Sequence, residues 1–275
     1  YLALALRSLL WVVPVYGTPD DPRLDGGTGE PIDYAVRMRQ FGGDARLDQV
    51  SDRGGLTEAH IDQIAEDLAA FHRQAPRAGM ESVFGSAAGI GDRMLQNFEQ
   101  IELHCDDPAI RARLQPLREW TQAKLREQRD DYELRRREGW IRECHGDLHL
   151  ANMALIDGRV TIFDCLEFAE DLRWIDPLSE AAFLYMDLEQ RAHTVLARRF
   201  LNQYLEAAND YQALNLFRPY LVYRALVRAK VAAIAAHQHQ KEPMPHAAAL
   251  KTLRAYLDMA EHYSQPVGKM PMIVM

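Results

Sequence analysis

The chain has 275 residues and a mass of 31.4 kDa, room for one large domain or two small ones. Hydrophobic residues make up 48% and charged residues 26%, an ordinary globular balance that excludes disorder as the main state. A net charge of -8, from 32 Lys+Arg against 40 Asp+Glu, lacks the basic excess of a nucleic-acid binder. Cys105, Cys144 and Cys165 are too few for a disulfide framework, and no run nears the ~20 apolar residues of a membrane helix. The expected setting is therefore cytoplasmic, with no nucleic acid and no membrane partner.

Residues 9–15, rich in Val and Leu, and residues 33–41 read as extended. In the second, Tyr34, Val36 and Met38 share one face and Asp33, Arg37 and Arg39 the other, the period-2 pattern of a half-buried strand. Residues 17–31 between them are dense in Gly, Pro and Asp and predict a surface loop. Two strands do not make a stable domain, so more sheet is expected.

From Thr57 the pattern turns helical. Thr57 suits an N-cap, Glu58 the positive end of the helix dipole, and Ile61, Ile64, Ala65, Leu68 and Phe71 recur at helical spacing. Residues 92–104 and 108–137 follow as helices. The second carries many arginines, Arg135 to Arg137 among them, interleaved with acids, which reads as a solvated face. Beyond residue 176, helical segments are expected near 178–208, 216–240 and 245–263. Arg224 and Arg228 share one face there; structural ion pairs are the ordinary explanation, contact with an anionic group the other.

A polar island, Cys144-His145-Gly146-Asp147-Leu148-His149-Leu150-Ala151-Asn152, lies near the middle of the chain. Two short apolar runs joined by Asp157-Gly158 follow it and predict a β-hairpin with a two-residue turn. Pairing Ile156 with Arg159 puts Asn152 opposite Phe163, with Asp164 one step beyond. Cross-strand Cα atoms are about 5 Å apart, so Asn152 and Asp164 should meet at the open end of the hairpin, with Asp147 on the loop leading in. Two such oxygen groups suit Mg²⁺, which takes one or two protein ligands plus phosphate oxygens. The five-residue step from Asp147 to Asn152 is that of a kinase catalytic loop, where an Asp takes or orients the proton of the attacking hydroxyl and an Asn holds metal.

His145 to Asn152 resembles the H-G-D-x-H-x-x-N loop of aminoglycoside phosphotransferase and choline kinase-like enzymes. The resemblance implies an α+β, protein-kinase-like fold: the end of an N-lobe in residues 1–41, a mainly helical C-lobe in 42–265, and a linker with the start of a following domain in 266–275. It implies transfer of the γ-phosphoryl group of ATP (or GTP) to a hydroxyl of a small molecule. Asp147 would be catalytic, Asn152 and Asp164 would hold Mg²⁺, and His145, His149, Glu167 and Asp176 would support them. Asp176 and Glu180 resemble a downstream D-x-x-x-D helix start with Glu in the second place. Met38 and Phe41 would lie at the nucleotide-binding hinge. Residues 266–275 resemble the linker before a fused P-loop ATP-binding domain.

The strand Lys and helix Glu of the family's N-lobe have no counterpart before Asp33. The chain also opens at Tyr1 and stops on Met272-Ile273-Val274-Met275. It therefore reads as a piece of a longer protein, and the piece alone is expected to turn over ATP poorly. Two other classes compete. One is a non-catalytic kinase-like module regulating a fused P-loop ATPase. The other is a zinc hydrolase using His145, Asp147, His149 and Asp164; it leaves Gly146 and Asn152 without a role. The acidic balance is compatible with a cationic acceptor such as an aminoglycoside, but net charge does not define a pocket.

Overall fold

In the computed structural model, which describes residues 10–24, 27, 29–38, 40–79, 81–166 and 168–266, the two early extended segments pair with each other. Glu167, Arg39 and the run 267–275 lie outside the described residues, and so do the expectations placed on them. Strand β1 (Leu10–Thr18) runs antiparallel to β3 (Asp33–Met38), with Val12 opposite Val36 and Val15 opposite Asp33. The stretch between them is not loop throughout. After Gly17 at a φ of 97°, the chain turns back and β2 (Asp21–Arg23) pairs with the end of β1, giving the order β2-β1-β3. The half-buried face expected of β3 is also corrected. Tyr34, on the face expected to be half-buried, is 64% exposed, and Trp11 on β1 is 50% exposed.

The core lies in the helices. After α1 (Leu47–Asp52), helix α2 (Glu58–Gln74) starts at Thr57, whose hydroxyl accepts the His60 N–H while the His60 ring accepts the Thr57 N–H. This reciprocal cap satisfies two of the donors that every helix start leaves open. Ile61, Ile64, Ala65 and Leu68 fall on one face and are buried, while Phe71 packs at the edge of the core. Helix α3 (Ala87–His104) begins five residues before the apolar pattern suggested, because the Ser86 side chain accepts the Gly89 N–H.

The long charged segment is two helices, α4 (Pro108–Glu127) and α5 (Arg129–Arg137), parted at Gln128. The segment 178–208 is likewise two, α7 (Pro177–Gln190) and α8 (Thr194–Ala208), with Ala192 at a φ of 63° breaking the run; the four-residue α6 (Glu170–Arg173) precedes them. Helices α9 (Leu214–Gln238) and α10 (Pro243–Ser264) pack along one another and close the body.

The solvated-face reading of residues 135–137 fails at Arg135. This side chain is buried and binds two buried carboxylates, Asp176 through both its Nε and Nη2 and Asp210 through Nη1 at 2.9 Å and Nη2 at 2.7 Å. Tyr220 donates its hydroxyl to Asp176 at 3.2 Å, and Asp176 also caps α7 by accepting the Leu178 N–H at 2.9 Å. An arginine fork between two acids is one of the few ways to keep three charges inside a helical core. This network ties α5, the start of α7 and the turn before α9 into one unit.

Candidate active site

The polar island is pinned at both ends before any catalytic group is considered. Strand β4 (Arg142–Glu143) pairs with β7 (Trp174–Ile175), and the Cys144 N–H donates to the Arg173 carbonyl at 2.9 Å. Further in, the Leu166 N–H donates to the His145 carbonyl at 3.0 Å. Between these ties stands the hairpin of β5 (Met153–Ile156) and β6 (Arg159–Ile162), in the register read from the sequence: Ile156 faces Arg159 and Met153 faces Ile162. Asp157 and Gly158 both take positive φ, 50° and 77°, as a tight turn matched to strand twist requires. One step past the ladder, the Phe163 N–H donates to the Asn152 carbonyl at 3.0 Å, so Asn152 and Phe163 do face one another.

Asp147 has a backbone amide held by the His145 ring at 3.3 Å and a carboxylate held by side chains. The Asn152 amide donates to both the carbonyl and the carboxylate of Asp147, at 3.0 and 3.1 Å. His149 reaches the same carboxylate oxygen through Nε2 at 3.3 Å and sets its ring edge against Phe183. Burial alone would push the Asp147 carboxyl up, but the His149 hydrogen bond and charge, with the more distant charges of Arg224 and Arg228, hold it below the usual carboxylate range. It is ionised at neutral pH and still open to solvent.

His145 spends both ring nitrogens on the loop. Nδ1 accepts the Asp147 N–H, so Nε2 carries the proton and donates it to the Phe163 carbonyl at 2.7 Å. A ring with both nitrogens committed offers nothing to zinc, which removes the first ligand of the hydrolase alternative. Asp164 follows directly. It is exposed, sits at a φ of 60°, and makes no hydrogen bond or ion pair among the described residues. Aspartate is one of the few non-glycine residues that adopt this conformation readily, as Asp157 also does in the hairpin turn. Phe41, expected at the hinge, packs its ring against Phe163 at 5.2 Å, next to Asp164; Met38 is the last residue of β3.

The loop is shaped from beneath by a residue read in the sequence only as part of a helix start. Glu180 is completely buried. One oxygen accepts the Gly146 N–H at 2.5 Å; the other accepts the His145 N–H at 3.2 Å and meets His72 Nε2 at 2.8 Å. Gly146 can turn its amide down to Glu180 because it sits at a φ of 90°, and a Cβ there would lie 2.9 Å from the Leu172 carbonyl oxygen. Asp187, two turns further along α7 and also missed, accepts the Leu150 N–H at 2.9 Å.

His72, Cys144 and Glu180 cluster closely enough to hold a metal ion, but His72 is already shared between Glu180 and the Tyr204 hydroxyl, and burial pushes the Cys144 thiol well up. The cluster is a hydrogen-bonded scaffold. Its sequence signals were an acidic residue one turn into an apolar helix and the likeness of Asp176 and Glu180 to a D-x-x-x-D helix start.

Burial would raise the Glu180 carboxyl, yet the His72 hydrogen bond and charge, with His145 and the Gly146 amide, outweigh it and leave Glu180 below its ordinary 4.5. A depressed carboxyl binds protons more weakly in the folded chain than in the unfolded one. Its stabilisation is therefore complete above the ordinary value and is lost as pH falls through the folded one. Glu180→Gln is expected to lower thermal stability at neutral pH and to flatten its decline between about pH 5 and pH 3. Melting curves across that range check this; an unchanged slope would show that Glu180 has no such role.

Residues 24–217, well over half the chain, match the phosphotransferase enzyme family (APH). The chain belongs to this family. A solved glucosamine kinase superposes with a TM-score of 0.53 at 17% sequence identity, covering 83% of this chain and 61% of that one. The fold is therefore the α+β kinase-like fold of small-molecule kinases. An ethanolamine kinase of Plasmodium vivax superposes at 0.49 with 13% identity, over 91% and 69% of the two chains. Among curated sequences, the uncharacterized proteins Rv2004c of Mycobacterium tuberculosis and Mb2027c of Mycobacterium bovis are each 29% identical over 270 residues. That match takes in 98% of this chain and 51% of theirs, so the chain spans about half the length of the curated relatives it matches.

Proposed function

We propose that this chain carries the catalytic centre of an ATP-dependent (or GTP-dependent) phosphotransferase with a small-molecule alcohol as acceptor. The observation that carries the reading is the Asp147 carboxylate, ionised, partly open and fixed by Asn152 and His149, beside an unpaired Asp164 at the mouth of the hairpin. In this reading the acceptor hydroxyl attacks the γ-phosphorus, the bond from that phosphorus to the diphosphate breaks, and Asp147 takes the hydroxyl proton. Asn152 and Asp164 would hold Mg²⁺ through their side-chain oxygens; bound there, the ion would neutralise charge spreading over the transferred group.

The regulatory-module reading has no observation in its favour; the Asn152 amide holds the Asp147 carboxylate at 3.1 Å, and Asp164 directly follows the residue that faces Asn152. For the whole protein we retain the fused P-loop ATP-binding domain and a cytoplasmic setting. Among the described residues no helix is long and apolar enough to cross a membrane.

The test is a phosphate-acceptance screen on the full-length protein with labelled ATP and Mg²⁺, covering sugars, amino alcohols, sugar acids and aminoglycosides. Label transferred to a hydroxyl of at least one of them is the expected result. Release of free phosphate alone, at a rate no acceptor changes, would overturn the assignment.

A further inference from the structure

Two cations beside the proposed base have no carboxylate partner. Arg224 and Arg228 lie one turn apart on the same face of α9. The expectation that they make structural ion pairs is not met: among the described residues neither has a carboxylate within salt-bridge distance. Of the other buried arginines, Arg135 is held by two acids, while Arg142 donates to the Ala75 carbonyl at 3.1 Å and, like Arg224, has no carboxylate partner among the described residues. Arg224 is only 4% exposed. It donates from Nη1 to the Gly146 carbonyl at 3.2 Å and from Nε to the Ser179 carbonyl at 3.0 Å, and its plane lies over the Phe183 ring at 4.9 Å. Its Nη2 is buried with no hydrogen-bond partner. Arg228 is partly buried, and among the described residues its one hydrogen bond is a long contact from Nε to the Tyr256 hydroxyl, 3.4 Å, with its guanidinium 5.7 Å from the centre of the same ring.

Desolvated guanidinium groups left unpaired are costly, and arginine is the side chain best shaped to grip a carboxylate or phosphate with two parallel bonds. The Gly146 contact fixes this face of α9 against the backbone of the catalytic loop. Both charges also act on Asp147, in the direction that keeps it ionised. The nearby acids are already engaged: Glu180 with the loop amides and His72, and Asp187 with the Leu150 amide. The two open carboxylates, Asp147 and Asp164, are assigned to the proton and to the metal in the proposed reaction, and Asp147 and Asp187 act on Arg228 only at longer range.

We propose that the acceptor of this site bears an anionic group, a carboxylate or a phosphate on a polyhydroxy compound, and that Arg228 binds that group, with Arg224 as the positioning residue behind it. The inference rests on the phosphotransferase reading and narrows its substrate class. It sets this chain apart from an enzyme for an amine-bearing acceptor such as glucosamine.

Calorimetric titration of the full-length protein with D-gluconate, D-glucose 6-phosphate, D-glucose and D-glucosamine tests it without needing turnover. One or both anionic ligands should bind at least about tenfold more tightly than glucose and glucosamine, as a charge-assisted contact requires. Preference for gluconate over the sugar phosphate, or the reverse, identifies the anion. Arg228→Gln should remove that preference and Arg228→Lys should restore part of it, which separates loss of charge from loss of fold. Equal or tighter binding of glucose or glucosamine, binding of none of the four, or an anion preference that survives Arg228→Gln would overturn the proposal. So would an Arg228→Gln defect confined to the KM for ATP. If label transfer to a neutral or amine acceptor is found and depends on Asp147, the phosphotransferase reading stands while the anion proposal falls. If anions bind through Arg228 but nothing is phosphorylated, the reverse holds.

Discussion

Replacing Asp147 by Asn is expected to lower kcat by a factor of about 10²–10⁴, the usual worth of a positioned general base, while the melting temperature changes little. The substitution is close to isosteric, and the partners it disturbs are a half-open pair of contacts from Asn152 and His149. In the proposed reaction it removes the charge that would receive the proton from the attacking hydroxyl. A KM for the acceptor that stays near its original value, with the loss concentrated in kcat, would mark an interaction made only in the transition state. Steady-state kinetics on the full-length protein with its best acceptor decide the point. A variant that retains a tenth or more of the original kcat would remove Asp147 from the chemistry. Ionisation limits the pH profile in the same way. Because Asp147 is held below the ordinary carboxylate range, its own protonation should cost activity only on the acid side of that range.

The largest expected effect on stability lies away from the loop, at Arg135. Substituting Met preserves much of the packing of the side chain but strands Asp176 and Asp210 in the core, with only Tyr220 and the Leu178 amide still serving Asp176. Breaking a buried ion pair by removing one partner costs about 3–5 kcal/mol, because the remaining charge has nowhere to go. The penalty should depend on pH with a definite sign. Burial already pushes Asp210 above its ordinary range, and Arg135 only partly offsets this. Without the arginine, Asp210 should hold its proton more tightly in the folded chain than in the unfolded one, so the variant should recover stability as pH falls from about 8 to about 5. Denaturant unfolding at the two ends of that range checks it. A loss under 1 kcal/mol at neutral pH, or one that grows on acidification, would contradict the account.

Much of the candidate site was legible because its geometry is local. The Asp157-Gly158 turn, the alternating apolar residues around it and the five-residue step from Asp147 to Asn152 are short-range patterns, and together they place Asn152 against Phe163. What could not be read is what holds the loop from below. Glu180 meets His72 across 108 residues of chain, and Arg135 meets Asp176 and Asp210 across 41 and 75. No periodicity links such partners, and a charge inside a charged run looks solvated until the tertiary fold buries it. Tyr34 shows the opposite failure. Alternation marks two faces of a strand but not whether anything covers one of them. Arg224 and Arg228 illustrate a third gap, since sequence shows a shared face without showing whether acids wait opposite.

The paired register of β5 and β6 also bears on how this site can change over time. Side chains on a strand switch sides with every added residue. A single insertion between Asn152 and the turn, or between the turn and Asp164, would shift one of the two proposed metal ligands out of register with the other. Length changes compatible with activity are therefore confined to the tip beyond Ile156 and Arg159, or must come as matched additions on both arms. The two arms of this ribbon are under a joint constraint, and natural variants of this chain should carry indels at the tip and none in the stem.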